Sequence, residues 1–134
     1  MQFLQPPGWA TPKGYANGVA ARGTLVFVGG QIGWNAEQRF ESDDFIDQTR
    51  QTLLNVRDVL ACAGAGPEHM VRMTWYIVDR VEYNARLKEL GSAYREVMGK
   101  HFPAMTCVQV AALVEGAAKV EIEVTAVVPD GPSI

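Results

Sequence analysis

Cysteine is nearly absent from this sequence: only Cys62 and Cys107 occur in 134 residues. Two thiols among apolar neighbours cannot make a disulfide framework and lack metal-ligand spacing. Buried free thiols, no bound metal and a reducing, cytoplasmic setting are therefore expected. Positive charge is also scarce, with 12 Lys and Arg against 15 Asp and Glu for a net charge of −3. The basic residues are scattered singly, whereas neutralising phosphates needs a basic stripe, so nucleic acid is not the expected partner. No apolar run nears the ~20 residues of a membrane helix, and no membrane association is expected. The opening Met1–Gly8 segment has neither a basic nor an apolar signal region, so no secretory signal is expected there. His69 and His101 lie in polar, loop-like stretches, where a surface role is the simpler reading.

What is present describes one folded core. Hydrophobic residues make up 48% and charged residues 20%, the balance of a globular protein, and a single domain over residues 1–134 is expected. Pro6, Pro7, Gly8 and Pro12 make residues 1–13 read as an irregular arm. A short strand is expected over Tyr15–Ala21, then a turn at Gly23-Thr24. Leu25–Val28 reads as a strand covered on both faces and stopping at Gly29-Gly30, with a loop from Gly33 to Glu41. Phe45, Thr49, Leu53, Val56, Leu60 and Ala63 recur at helical steps. Ser42, Asp43 and Asp44 supply candidate N-caps, and Gly64 or Gly66 a stop. Met70–Val78 alternates as a half-buried strand. Asp79 opens a second helix carrying Tyr83, Leu87, Leu90, Tyr94 and Val97-Met98, ended by Gly99. Thr106–Leu113 and Lys119–Val128 complete the order β-β-α-β-α-β-β. That order predicts an α+β layer: one mixed, mostly antiparallel sheet with two helices packed on one face. The other face, apolar in places, predicts self-association.

Five segments in order resemble the RidA/YjgF family, also called L-PSP endoribonuclease-like. They are Gly14-Tyr15-Ala16-Asn17-Gly18, Val28-Gly29-Gly30-Gln31-Ile32, Gln48-Thr49 with Leu54-Asn55-Val56, Phe102-Pro103-Ala104, and Val120-Glu121-Ile122-Glu123-Val124. The resemblance implies a chorismate-mutase-like subunit and a homotrimer with small-molecule clefts between subunits. It implies hydrolysis of reactive enamines and imines, such as 2-aminoacrylate, to keto acid and ammonia. It implies no metal or organic cofactor.

Carried over residue by residue, the resemblance makes Glu121 the residue that positions the hydrolytic water. Tyr15, Gly30, Gln31 and Cys107 become cleft residues. Each has a plainer reading as well. Glu121 can be an exposed strand glutamate, Tyr15 a packed interface aromatic, Gly30 a bulge, and Cys107 a packing residue with no histidine to activate it. The sequence departs from the deaminase pattern Phe-Pro-Ala-Arg-Ser-Cys, reading Phe102-Pro103-Ala104-Met105-Thr106-Cys107. An arginine fork grips a carboxylate through two charge-assisted bonds, and methionine offers only a soft apolar surface. Gly29 likewise replaces the serine of that pattern. A substrate other than the usual small 2-imino acid is therefore expected. If Trp34 also lines the cleft beside Met105, the pocket prefers an uncharged or aromatic ligand; otherwise Trp34 caps a contact. Three functions follow: a deaminase of some imine intermediate, a non-catalytic trimeric binding or chaperone-like protein, and a ribonuclease. The acidic balance and the lack of a histidine acid–base pair argue against the last.

Overall fold

The computed structural model describes residues 1–131. Its elements are β1 (Gln2–Leu4), β2 (Gly18–Ala20), β3 (Thr24–Ile32), α1 (Phe45–Cys62), β4 (Met70–Ile77), α2 (Arg80–Ala85), α3 (Leu87–Met98), β5 (Ala104–Gln109) and β6 (Val120–Val128). Four strands form the main sheet in the order β3-β6-β4-β5. The β3–β6 and β6–β4 pairs are antiparallel and the β4–β5 pair is parallel. The expected mixed α+β sheet is therefore the fold.

Alternation along β6 explains the layering. Val120, Ile122, Val124 and Ala126 are buried, and they meet the buried stripe of α1 formed by Leu53, Val56 and Leu60. Met73, Trp75 and Ile77 of β4 join the same core, as do Leu90, Tyr94 and Val97 of α3. The intervening residues Glu121, Glu123 and Thr125, with Arg72, Thr74 and Tyr76 of β4, occupy the opposite face. That face is open in the single chain. It carries Leu25 at 58% and Phe27 at 72% exposure among its polar groups.

Several boundaries differ from expectation; the strand expected over Tyr15–Ala21 is limited to Gly18–Ala20. The arm is not irregular throughout, because Gln2–Leu4 pairs antiparallel with Gly18–Ala20 and only the proline-bearing stretch after it lacks a strand. Strand β3 does not stop at the glycines; it crosses Gly29-Gly30 with a register shift between Val28 and Gln31 and ends at Ile32. A bulge absorbs residues that have no side chain to place. Strand β5 ends at Gln109, after which only the Val110 N–H still bonds the Ile77 carbonyl. The second helix breaks at Arg86, whose backbone leaves the helical region at φ −120° and ψ 28°.

Arg86 links that break to the start of α1. Its Nη1 donates to Asp44 Oδ1 at 2.7 Å, while Nε and Nη2 grip both oxygens of Glu89 at 3.2 and 2.8 Å. Asp44 is the α1 N-cap, its Oδ2 accepting from the Ile46 and Asp47 N–H groups, each at 3.1 Å. The Arg86 hydrogen bond, with the cap bonds behind it, holds the Asp44 carboxyl below its ordinary range. A lowered folded value means the contribution is present above the unfolded value of about 4 and is lost as pH falls through the folded one. Asp44→Ala should therefore lower stability by about 1 kcal/mol at neutral pH. In thermal unfolding the gap to wild type should narrow below about pH 4.

Candidate active site

The carboxylate of Glu121 sits on the open face where β6 meets the β3 bulge. Gly30 makes room for it: a Cβ built on Gly30 would come within 2.3 Å of Glu121 Oε2. Gln31, the next residue, pairs with Ile122 of β6, and its Nε2 donates to the Gly29 carbonyl at 3.1 Å. Across the same face the Tyr76 hydroxyl donates to Glu123 Oε1 at 2.9 Å. That bond raises the tyrosine's pKa, so Tyr76 stays protonated. A shallow cavity of about 440 Å³ lies on this face, between Phe27, Arg72, Thr74 and Tyr76. Arg72 has no carboxylate partner among the described residues.

Met105 and Cys107 lie elsewhere. Strand β5 runs parallel to β4 with Met105 opposite Met73 and Cys107 opposite Trp75, which places both side chains on the helix-covered face. Cys107 lies near Tyr83, and burial raises its pKa. Burial pushes Tyr83 itself up to about 12. Cys107 is thus a protonated, half-buried thiol, while Cys62, expected to be buried as well, is exposed at the end of α1. Met105 lines a second cavity, of about 340 Å³, with Trp75, Tyr83, Tyr94 and Phe102 in its wall. Tyr15, 43% exposed, lines a separate hollow together with Phe102. A bridge between Ala16 and Ala104 fixes this part of the arm to β5, with the Ala16 N–H donating to the Pro103 carbonyl at 3.0 Å.

The expected site residues thus fall into two groups within one chain. Gly30, Gln31 and Glu121 share the β3–β6 seam; Tyr15, Met105 and Cys107 share the β5 edge. Strand β4 separates β6 from β5, and Glu121 faces away from Met105 and Cys107. Among the described residues no set of three or more His, Cys, Asp or Glu is placed to hold a metal ion, and no helix is long and apolar enough to cross a membrane.

Residues 9–128 match the sequence pattern of the family described as Endoribonuclease L-PSP. The chain belongs to the RidA/YjgF family. TdcF of Escherichia coli K12 is 34% identical over 130 residues, 95% of either chain. The human 2-iminobutanoate/2-iminopropanoate deaminase is 29% identical over 108 residues, 80% of this chain and 74% of that protein. Among solved structures, YyfB of Yersinia pestis, a conserved Rid-family protein, superposes with a TM-score of 0.84 at 28% identity, covering 95% of this chain and 98% of its own.

Two Rid-family positions carried a motif in the sequence without an evident role, and the structure gives them one. Gln48 is 1% exposed. Its Nε2 donates to the Ser42 and Ala117 carbonyls at 3.2 and 2.9 Å, and its Oε1 accepts from the Lys119 N–H at 2.8 Å. Asn55 Nδ2 donates to the carbonyls of Ile32 and Trp34 at 2.9 and 2.8 Å. Helix α1 therefore tethers both the exit of β3 and the entry to β6, the strands that carry Gly30 and Glu121. The signal for this was a polar residue beside the apolar stripe of a helix. Trp34 packs against Phe40 with ring centroids 5.9 Å apart, and it is not in the wall of the cavity that holds Met105.

Proposed function

We propose that this Rid-family chain is a hydrolytic deaminase of reactive imines and enamines, with Glu121 as the group that holds and deprotonates the attacking water. The carboxylate laid over side-chain-free Gly30 is the observation that supports this reading most strongly. A base must sit within hydrogen-bond reach of the water it activates, and beside a glycine the approach to that carboxylate is open. Relatives named as iminobutanoate deaminases give the reaction class. The water's oxygen bonds to the C=N carbon, its proton passes through Glu121 to the nitrogen, and a carbinolamine forms. The carbinolamine then loses ammonia and leaves the keto group; an enamine first takes a proton on carbon to become the imine. Every atom is supplied by substrate and water.

The working unit in this proposal is a homotrimer. Glu121 and the Met105 cavity cannot act on one ligand within one chain, since they lie on opposite faces of the sheet. A copy placed against the open face covers Leu25 and Phe27 and brings the β3–β6 seam of one subunit to the β5 edge of the next. Gly30, Gln31 and Glu121 then meet Tyr15, Met105 and Cys107. A second reading, a trimer that binds small molecules without turning them over, draws on Met105, which removes the charge that would grip a small imino acid.

The test is keto-acid release from imines made in situ by an amino-acid oxidase, with and without this protein and with chelator present. Release should rise in proportion to added protein and be unaffected by the chelator. Binding of the product keto acids without any acceleration would establish the second reading instead.

A further inference from the structure

The cavity beside Met105 has a composition of its own. Its volume of about 340 Å³ lies within the range of small-molecule sites, roughly 300–1,000 Å³. Tyr94 and Phe102 stack at 5.3 Å between centroids, and Trp75 stands 6.4 Å from Tyr94. With Met105 and Leu90 these rings make a wall that water solvates poorly and a flat apolar group fills well. The indole N–H of Trp75 is buried and has no acceptor among the described residues.

Positive charge stands at the rim. Arg95 and Lys13 both line the cavity and are both exposed. Arg95 folds back along α3 over Gly91: a Cβ built on Gly91 would stand 3.2 Å from Arg95 Nη1. Neither cation pairs with a carboxylate among the described residues, whereas Arg50 and Arg86 on the neighbouring helix faces do. An arginine guanidinium with no carboxylate partner among the described residues, beside an aromatic cavity, matches a ligand with an apolar body and a terminal carboxylate.

We infer that this cavity selects 2-imino acids with an aromatic or large apolar side chain, the side chain lying against Trp75, Tyr94, Phe102 and Met105 and the carboxylate held at the rim by Arg95. The inference rests on the deaminase reading for turnover, and on the cavity alone for the class of ligand. It moves the carboxylate grip from position 105 to an arginine on α3. Methionine at 105 then belongs to the specificity pocket. Arg95 is in this account a binding residue with no part in proton transfer.

Titration calorimetry with stable keto acids tests it on the full-length protein. Phenylpyruvate should bind at least about tenfold more tightly than pyruvate, because only the former fills the apolar wall. Arg95→Gln should weaken phenylpyruvate about tenfold, the value of a charge-assisted contact at an exposed rim, and Arg95→Lys should restore part of the loss. Phenylacetone, which keeps the ring and ketone but lacks the carboxylate, should bind wild type and Arg95→Gln equally. Pyruvate binding as tightly as phenylpyruvate would overturn the inference, and so would an Arg95→Gln variant that binds phenylpyruvate normally or loses phenylacetone in parallel. Hydrolysis of imines without phenylpyruvate binding removes this inference and leaves the deaminase reading in place. Phenylpyruvate binding as expected without imine hydrolysis supports the ligand class and removes the deaminase reading.

Discussion

Glu121→Gln should lower the rate of imine hydrolysis by about 100-fold or more, the usual contribution of a positioned general base. The substitution keeps the size of the side chain and one acceptor oxygen, but it removes the capacity to take a proton. Glu121 is only half buried, so its loss as a charge should leave the unfolding midpoint close to wild type. The effect should fall on kcat and spare the affinity for product keto acids. Gly30→Ala provides a second probe of the same geometry. A methyl there would collide with the far end of the Glu121 side chain, which can swing away, so the fold should survive and the carboxylate should be displaced. Activity should fall with it. Equal hydrolysis by wild type and Glu121→Gln would place the base elsewhere, and Tyr76 or Glu123 on the same face would be the next groups to vary.

Gln48→Leu is the largest expected stability effect, about 2–3 kcal/mol, or a fall of about 10 °C in the unfolding midpoint. Leucine fits a residue that is 1% exposed, so the loss is not one of volume. It strands the carbonyls of Ser42 and Ala117 and the N–H of Lys119, three backbone groups that Gln48 satisfies through its one amide. An unpaired, partly buried backbone group costs far more than a hydrogen bond gains, though water can reach some of these at the loop surface. The tether ends one residue before β6 begins, and Glu121 is the second residue of that strand. Amide exchange should consequently speed up first around Lys119–Glu121, while the β3 exit, held by Asn55, should stay protected. A change below about 0.5 kcal/mol would mean that solvent replaces these bonds freely.

The parts of the fold that were legible are those in which a period survives over many residues. Leu53, Val56 and Leu60 mark α1 because each is buried on one stripe, and alternation marks β6 because Val120, Ile122 and Val124 take one face and Glu121 and Glu123 the other. Single-residue events leave no period. The break at Arg86 falls between Tyr83 and Leu87, whose spacing still fits an unbroken helix, and it is set by tertiary ties to Asp44 and Glu89. Gly29-Gly30 reads as a strand end by composition, yet the ladder with β6 resumes past the bulge at Gln31. Gln2–Leu4 pairs with a distant strand despite the prolines that follow. The candidate residues could be named from motif order, but their placement could not. Motif order brings Cys107 and Glu121 into one family pattern, but only the register of β4 against both of its neighbours reveals that they occupy opposite faces.

That division is the centre of the account, and mixed trimers test it directly. Glu121→Gln disables the β3–β6 group, and Met105→Trp fills the cavity of the other. Each variant alone should form trimers with little activity. Reassembled from equal amounts, the mixture should recover about one quarter of the wild-type rate, because one site in four then receives both intact halves from neighbouring subunits. A mixture no more active than its two components would contradict the account and confine catalysis to a single chain.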